Sequence, residues 1–422
     1  MIREIQIENF KSIKKMKLEL GRVNVFIGEN GSGKSNILEA IALAGAAAAD
    51  KLDNEFLASR GIRAAEPRHM RCALNLGLSA DEIEVSLAAT NNTRLNIHLT
   101  HDGRPYSSWK CKSNGETSFA VKPNRLLVFL ERIRAEQTKI EGESSDDSLS
   151  LLKRSIGPDK LEEAIAELRE LTGKPEEDED ATLVIRSHQF TALAADSDEG
   201  VRAVRDFIIY SPENSSLRVF KKESQIEPLG IQGEGLLQFL QVLSSDAAYA
   251  DAFASVRARL KVLGWFDDLS VPDGGSEHAS KIAIKDRFLG EDAGKLDQIS
   301  ANEGFLFLLF YFCLFSTDLT PNFFAVDNMD ASLNPKLCAH LVKEIAEMAA
   351  RNGKQAILTT HNPATLDGLD LYDDEQRLFV ISRGDEGETK IRRIKQKDGS
   401  TEKVKLSTAF INGYLGGLPK NF

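Results

Sequence analysis

Residues 28–35 read GENGSGKS, a run of three glycines closed by a lysine and a serine. They follow the apolar stretch RVNVFIG and open KSNILEAIALAGAAAA, whose Ala and Leu residues fall at helical spacing. A strand, a glycine loop and a helix start, in that order, make a cradle for phosphate. Gly28, Gly31 and Gly33 let backbone N–H groups close on phosphate oxygens, and the helix N-terminus adds its positive dipole end. The expected nucleotide contacts are Asn30, Gly31, Ser32, Gly33, Lys34 and Ser35. Lys34 would reach the terminal phosphates and Ser35 a magnesium ion.

A second stretch, FFAVDNMDASLNP from Phe323 to Pro335, begins as an apolar strand and ends in Asp327. That carboxylate is the expected partner of Ser35 in holding magnesium, directly or through water; a helix N-cap is the alternative reading. A third, ILTTHNP, puts His361 at the end of another apolar strand, one helix further on. Asn328 directly follows Asp327.

The rest of the chain must position these groups. Residues 1–27 read as two strands, REIQIENF and RVNVFIG. From about Arg71 to Leu130 short alternating segments (CALNLGL, IEVSLAA, RLNIHLT, RLLVFL) are separated by Asp, Asn, Gly and Pro, which predicts an antiparallel sheet beside the nucleotide core. An acidic insertion follows, with a helix over Asp159–Leu171 about 20 Å long, a short arm rather than a long coiled coil. FLFLLFYFCLF reads as a buried helix, and PLGIQGEGLL as a turn and helix start. The expected organisation is 1–140, an ATPase lobe with the antiparallel subdomain; 141–185, the arm; 186–320, a helical lobe; and 321–422, a second ATPase lobe with the tail.

Whole-chain properties bound the partners. With 422 residues, 42% hydrophobic and 28% charged, the chain can bury a large core. A net charge of -11 argues against non-specific coating of nucleic acid. The local run FKSIKKMKLEL is either a DNA-facing edge or a solvated surface. Four cysteines, Cys72, Cys111, Cys313 and Cys338, have no CxxC spacing, so neither a zinc site nor a disulfide framework is indicated. The amino terminus lacks the apolar core of a signal peptide, and the longest apolar run is far short of the roughly 20 residues that span a bilayer. A cytoplasmic protein without membrane contact is expected. The ending GYLGGLPKNF either docks on its own core or contacts a partner.

The order FKSI, GENGSGKS, ISANEG, VDNMDASLNP, TTHNP resembles the ABC-type P-loop ATPases of the SMC/RecF group, specifically their short-armed prokaryotic OLD-like (AAA family) relatives found in defence systems. The resemblance covers about residues 1–45 and 205–422. It implies an α/β ABC-type head with a mixed central sheet, an antiparallel β subdomain and a helical lobe with a short helical arm. In such proteins two heads sandwich two ATP molecules. Carried over, Ser300 in ISANEG would be the signature serine touching the γ-phosphate of the other subunit. Asn302 replaces a usual glycine there, as a residue that tolerates left-handed backbone and can cap a helix. Met329 to Asn334 would be the loop crossing the dimer interface, and His361 the histidine facing the γ-phosphate. YSPEN, Tyr210 to Asn214, is the preferred further segment near the nucleotide.

The resemblance also implies ATP and Mg2+ as cofactors, and a homodimer of heads or larger homo-oligomer acting on a separate effector, often a nuclease. DNA is a candidate ligand. An amide at 328 can orient water but cannot take its proton. The resemblance implies a water-activating glutamate where this chain has Asn328, so slow ATP hydrolysis is expected, with Asp330 taking that role or His361 positioning water for substrate-assisted chemistry. A DNA-repair ATPase and a non-hydrolysing ATP-responsive scaffold remain alternatives.

Overall fold

The computed structural model describes residues 1–63, 66–72, 74, 82–91, 93–104, 107–119, 166, 183–187, 199–220, 226–271, 281–290, 294–395 and 405–418. At its centre is a six-stranded mixed sheet. The strand order is β14 (Thr389–Ile394), β13 (Gln376–Arg383), β3 (Val23–Ile27), β12 (Gln355–Thr360), β11 (Phe323–Val326), β8 (Ile209–Tyr210). Neighbours from β13 to β8 run parallel, and β14 is antiparallel to β13. Parallel strands covered on both faces need continuous apolar sequence. FFAV meets that need throughout, and VNVFI and QAILTT are buried along their whole lengths with the polar side chains of Asn24, Gln355, Thr359 and Thr360 inside. The pleat sends Val23, Val25 and Ile27 into one core with Phe324, Val326 and Leu358. Phe26 points the other way, with Ala325, Ile357 and Phe379.

The first core is roofed by helices. α2 (Leu236–Ser245), α3 (Ala250–Leu260), α4 (Glu303–Ser316) and α5 (Pro335–Arg351) contribute to it. α4 is apolar around its circumference and buried from Phe305 to Ser316, as FLFLLFYFCLF predicts. α5 is one-sided, burying Cys338, Leu341, Val342, Ile345 and Met348 at helical spacing. A ribbon of β9 (Phe266–Ser270) and β10 (Ala283–Asp286) lies at the edge of this lobe. PLGIQGEGLL is the predicted turn, with Gly233 and Gly235 left-handed just before α2.

The second core holds α1 (Lys34–Ala48) between the central sheet and an antiparallel sheet. That sheet runs β2 (Ile13–Glu19), β1 (Ile2–Phe10), β4 (Glu82–Ala89), β5 (Arg94–Thr100), β6 (Lys110–Phe119), β7 (Leu183–Ser187). Two expectations change here. Residues 1–27 form three strands, not two, because Ile13, Met16 and Leu18 alternate inward while Lys14, Lys15 and Lys17 face out. The antiparallel sheet therefore starts at Ile2, well before Arg71. Its lysines are partly neutralised: Lys15 pairs with Glu8 at 2.6 Å and Lys17 with Glu4 at 2.7 Å.

α6 (Leu406–Ile411) packs on the core, where Phe410 is buried and Ser407 Oγ donates to Asp367 at 2.7 Å; of the ending GYLGGLPKNF residues 413–418 are described, with Tyr414 and Leu418 exposed. The predicted arm helix over Asp159–Leu171 lies outside the described residues. Among the described residues no helix is long and apolar enough to cross a membrane.

Candidate nucleotide site

β3, β11 and β12 are parallel, so their carboxyl ends open on one edge of the sheet, where open α/β sheets place their ligand crevices. The loop leaving β3 is hemmed in by the β13–β14 hairpin. A Cβ on Gly28 would stand 2.0 Å from the Ile381 carbonyl oxygen. Gly33 has φ 106, and its Cβ would stand 2.1 Å from Thr389 Oγ1. Both positions require glycine.

The start of α1 is left open. It has no side-chain cap and no acidic residue in its first turn, whereas Asn302 caps α4 and Asn334 caps α5. Its free N–H groups suit an anion. Ser32 Oγ, buried without a hydrogen-bond partner, is an orphan of the kind a phosphate oxygen would satisfy.

Lys34 is 5% exposed, and its Nζ donates to Gly28 O at 2.8 Å and Glu29 O at 3.0 Å. Burial pushes the ammonium down to about 8, against the pull of Asp327, Asp330 and Glu29. The charge is present below that pH and lost above it. Nucleotide affinity is accordingly expected to fall as pH rises through about 8. A fluorescent-nucleotide titration series checks this. Lys34→Arg, which stays protonated, should bind with a flat profile over the same range.

Asp327 is held by three elements. Ser35 Oγ donates to its Oδ2 at 2.9 Å, Thr359 Oγ1 donates to its Oδ1, and its own N–H donates to Tyr210 O at 2.7 Å. The last contact puts YSPEN beside the site. A serine hydroxyl and a carboxylate side by side are the hard oxygen donors that Mg2+ prefers, so the donor set fits that ion. Ser35 and Asp327 would hold it, and it would offset charge on the terminal phosphates.

Asn328 sits at φ 55. Its N–H donates to Thr359 Oγ1 at 2.9 Å, and Met329 N donates to Thr359 O at 3.0 Å. Beyond chemistry, the amide residue therefore has a conformational reason to be here, because Asn tolerates left-handed backbone. Asp330 Oδ1 accepts from His361 N at 3.3 Å. Burial and the nearby Lys34 charge hold the His361 ring below the ordinary imidazole value, partly opposed by Asp330 and Asp327. The glycine loop, Lys34, Ser35, Asp327, Asn328, Asp330 and His361 thus gather in one place.

Ser300 and Asn302 lie elsewhere. Ser300 is exposed, and its N–H and Oγ both donate to Asp297 Oδ1 at 2.9 Å, pulling that carboxyl to about 2. A cavity of about 610 Å³ is lined by Trp265, Asn302, Ser332, Asn334 and Lys336 among others, with no residue of Gly28–Ser35. Asn302 is extended, φ -72 and ψ 155, and its side chain accepts from Phe305 N at 2.8 Å. Of the two reasons for asparagine at this position, capping holds and left-handed backbone does not. Glu303 ties this face to the other segments, accepting from Asn214 Nδ2 at 2.7 Å and Ser332 Oγ at 2.9 Å. Arg218 Nη1 grips the carbonyls of Gln298 and Ile299.

Sequence reasoning missed Thr359, Arg218, Arg383 and Thr389. Thr359 had a signal, a hydroxyl two residues before His361 at a strand's carboxyl end. Arg383 and Thr389 had none, because only the tertiary fold carries them to the loop.

Residues 23–367 match the family described as "AAA domain, putative AbiEii toxin, Type IV TA system". Uncharacterized protein MJECL10 of Methanocaldococcus jannaschii is 28% identical over 166 residues, 36% of this chain and 74% of that protein. The DNA replication and repair protein RecF of Clostridioides difficile is 46% identical over 41 residues, 10% of this chain and 11% of RecF. A solved SMC head bound to the C-winged helix domain of ScpA has the same fold, with TM-score 0.51 and 16% identity, covering 95% of this chain and 99% of that one.

Proposed function

The chain belongs to the P-loop ATPase family that its residues 23–367 match, with an SMC/RecF-like ABC-type head, and from that premise we propose that it is an ATP-gated switch. In this reading ATP and Mg2+ occupy the crevice at Gly28–Ser35 and Asp327. Two heads close on the nucleotide, each Ser300 facing the other's γ-phosphate, and hydrolysis is slow. The paired state controls a separate effector, a nuclease, in prokaryotic defence.

The observation that carries the reading is a second cavity, at the segment that resembles the signature motif, that the chain's own phosphate loop does not line. Asn302, Ser332 and Asn334 line that cavity, and Ser300 lies exposed two residues before Asn302. A second copy would bring phosphate to that face. The interface loop is built for such coupling, since Asp330 meets His361 on one side and Ser332 meets Glu303 on the other. The matched family's description names a putative toxin of a type IV toxin–antitoxin system, which is the ground for proposing a defence setting. The RecF relative favours a second reading, an ATPase of DNA maintenance that binds DNA directly.

Particle mass, measured by light scattering with and without a slowly hydrolysed ATP analogue, tests the switch. The expected result is doubling, or a larger assembly, with nucleotide, and no change for Lys34→Ala. The same mass in both conditions would refute nucleotide-driven pairing. Salt-dependent DNA binding by the chain alone would favour the second reading.

A further inference from the structure

Two carbonyls of the phosphate loop are held from outside by the β13–β14 hairpin. Arg383 Nε donates to Gly31 O at 2.7 Å, and Thr389 Oγ1 donates to Ser32 O at 3.1 Å. Neighbours fix the direction of the second bond. Asn36 Nδ2 has only protons to give, so Ser12 Oγ accepts from it at 2.6 Å. Ser12 then sends its own proton to Thr389 Oγ1, 2.7 Å away, and the Thr389 proton is left for Ser32 O. The relay runs from α1 through the β1–β2 turn and β14 to the phosphate loop, and Ser12, Ser32 and Thr389 are all buried. Thr389 N also donates to Ser12 O at 2.8 Å, which locks the hairpin in register with the turn.

Holding these carbonyls has a consequence for binding. A trans peptide points its C=O and the next N–H to opposite sides. With the Gly31 and Ser32 carbonyls drawn toward the hairpin, the N–H groups of Ser32 and Gly33 turn away from it, toward the cradle. The Ser32 N–H makes a long 3.3 Å contact with Glu29 O. A glycine-rich loop left to itself has many conformers, and ordering them at binding would cost affinity.

We propose that the β13–β14 hairpin is a clamp in the same chain that presets the phosphate loop for the phosphates of a nucleoside triphosphate, with Thr389 and Arg383 as its positioning residues. The proposal rests on the nucleotide reading of Gly28–Ser35. Thr389→Val keeps the side-chain shape and removes the hydroxyl. It is expected to weaken binding of a fluorescent ATP analogue by the full chain about tenfold. Thr389→Ser should bind within about twofold of the unaltered protein, because the hydroxyl is restored.

Arg383 is half-exposed, so Arg383→Ala should melt like the unaltered protein while binding about threefold more weakly; it decides the matter if Thr389→Val does not fold. Unaltered affinity in Arg383→Ala together with a folded Thr389→Val, or in Arg383→Ala alone if Thr389→Val does not fold, overturns the clamp. An equal loss in Thr389→Ser and Thr389→Val overturns the role of the hydroxyl. If the unaltered chain binds no nucleotide, the underlying reading fails instead, and Lys34→Ala would then differ from it in nothing.

Discussion

Replacing Lys34 with alanine is expected to abolish measurable ATP binding, a loss of at least about a hundredfold in affinity, while leaving the fold intact. Each charge-assisted hydrogen bond to phosphate is worth about 1.5–3 kcal/mol, and the lysine supplies more than one along with its charge. The same side chain ties the loop together in the absence of ligand, through Gly28 O and Glu29 O. Those two bonds offset an unfavourable burial, since the ammonium is almost fully removed from water and its proton is held less tightly for that reason. Removing it deletes a stabilising contact and a desolvated charge together, so the melting temperature without nucleotide should move little. Calorimetric titration with ATP, beside a thermal melt, separates the two effects. Unchanged affinity in a folded Lys34→Ala protein would defeat the assignment of Gly28–Ser35 as the phosphate loop.

Most of the fold that positions this site was legible because its strands are of the kind sequence reports best. VNVFI, FFAV and QAILTT are largely apolar runs that lead into Gly28, Asp327 and His361, and each lies where its pattern put it. The strand β2 was hidden by composition. KSIKKMKLE has so many lysines that it reads as a DNA-facing edge or a solvated surface, although Met16 and Leu18 alternate with lysine as a half-buried strand requires. The site itself divides the same way. Residues joined by short sequence spacing, such as Lys34 with Ser35 and Asp327 with Asp330, could be named from the chain. The groups that hold them could not. Thr389 is 357 residues from the Ser32 carbonyl it meets, and no local pattern reports a contact of that span. Asn302 and Asn328 show the same limit in another form. Both were read by residue type alone, yet one has extended backbone and caps a helix while the other is left-handed.

That difference shapes the second large effect. Asn328→Glu should raise the steady-state ATP hydrolysis rate if the missing carboxylate is what limits turnover. A positioned general base contributes about 10²- to 10⁴-fold. The left-handed backbone at 328 costs a glutamate on the order of 1–2 kcal/mol, which will offset part of that gain or draw the loop away from Thr359. A net rise of about tenfold or more is therefore the expected result. Asn328→Gly serves as the control, because it keeps the backbone at ease and removes the amide. If Gly and Glu raise turnover alike, relief of the loop rather than a base is responsible. Asp330 supplies the competing account, since its carboxylate accepts from the His361 N–H and its field reaches Lys34. An unchanged rate in Asn328→Glu, with Asp330→Ala inactive but still able to bind ATP, would make Asp330 the water-activating group. In that case the residue at 328 serves the geometry of the Met329–Asn334 loop, its left-handed backbone letting Met329 N reach Thr359 O and Ala331 N reach Asn328 O.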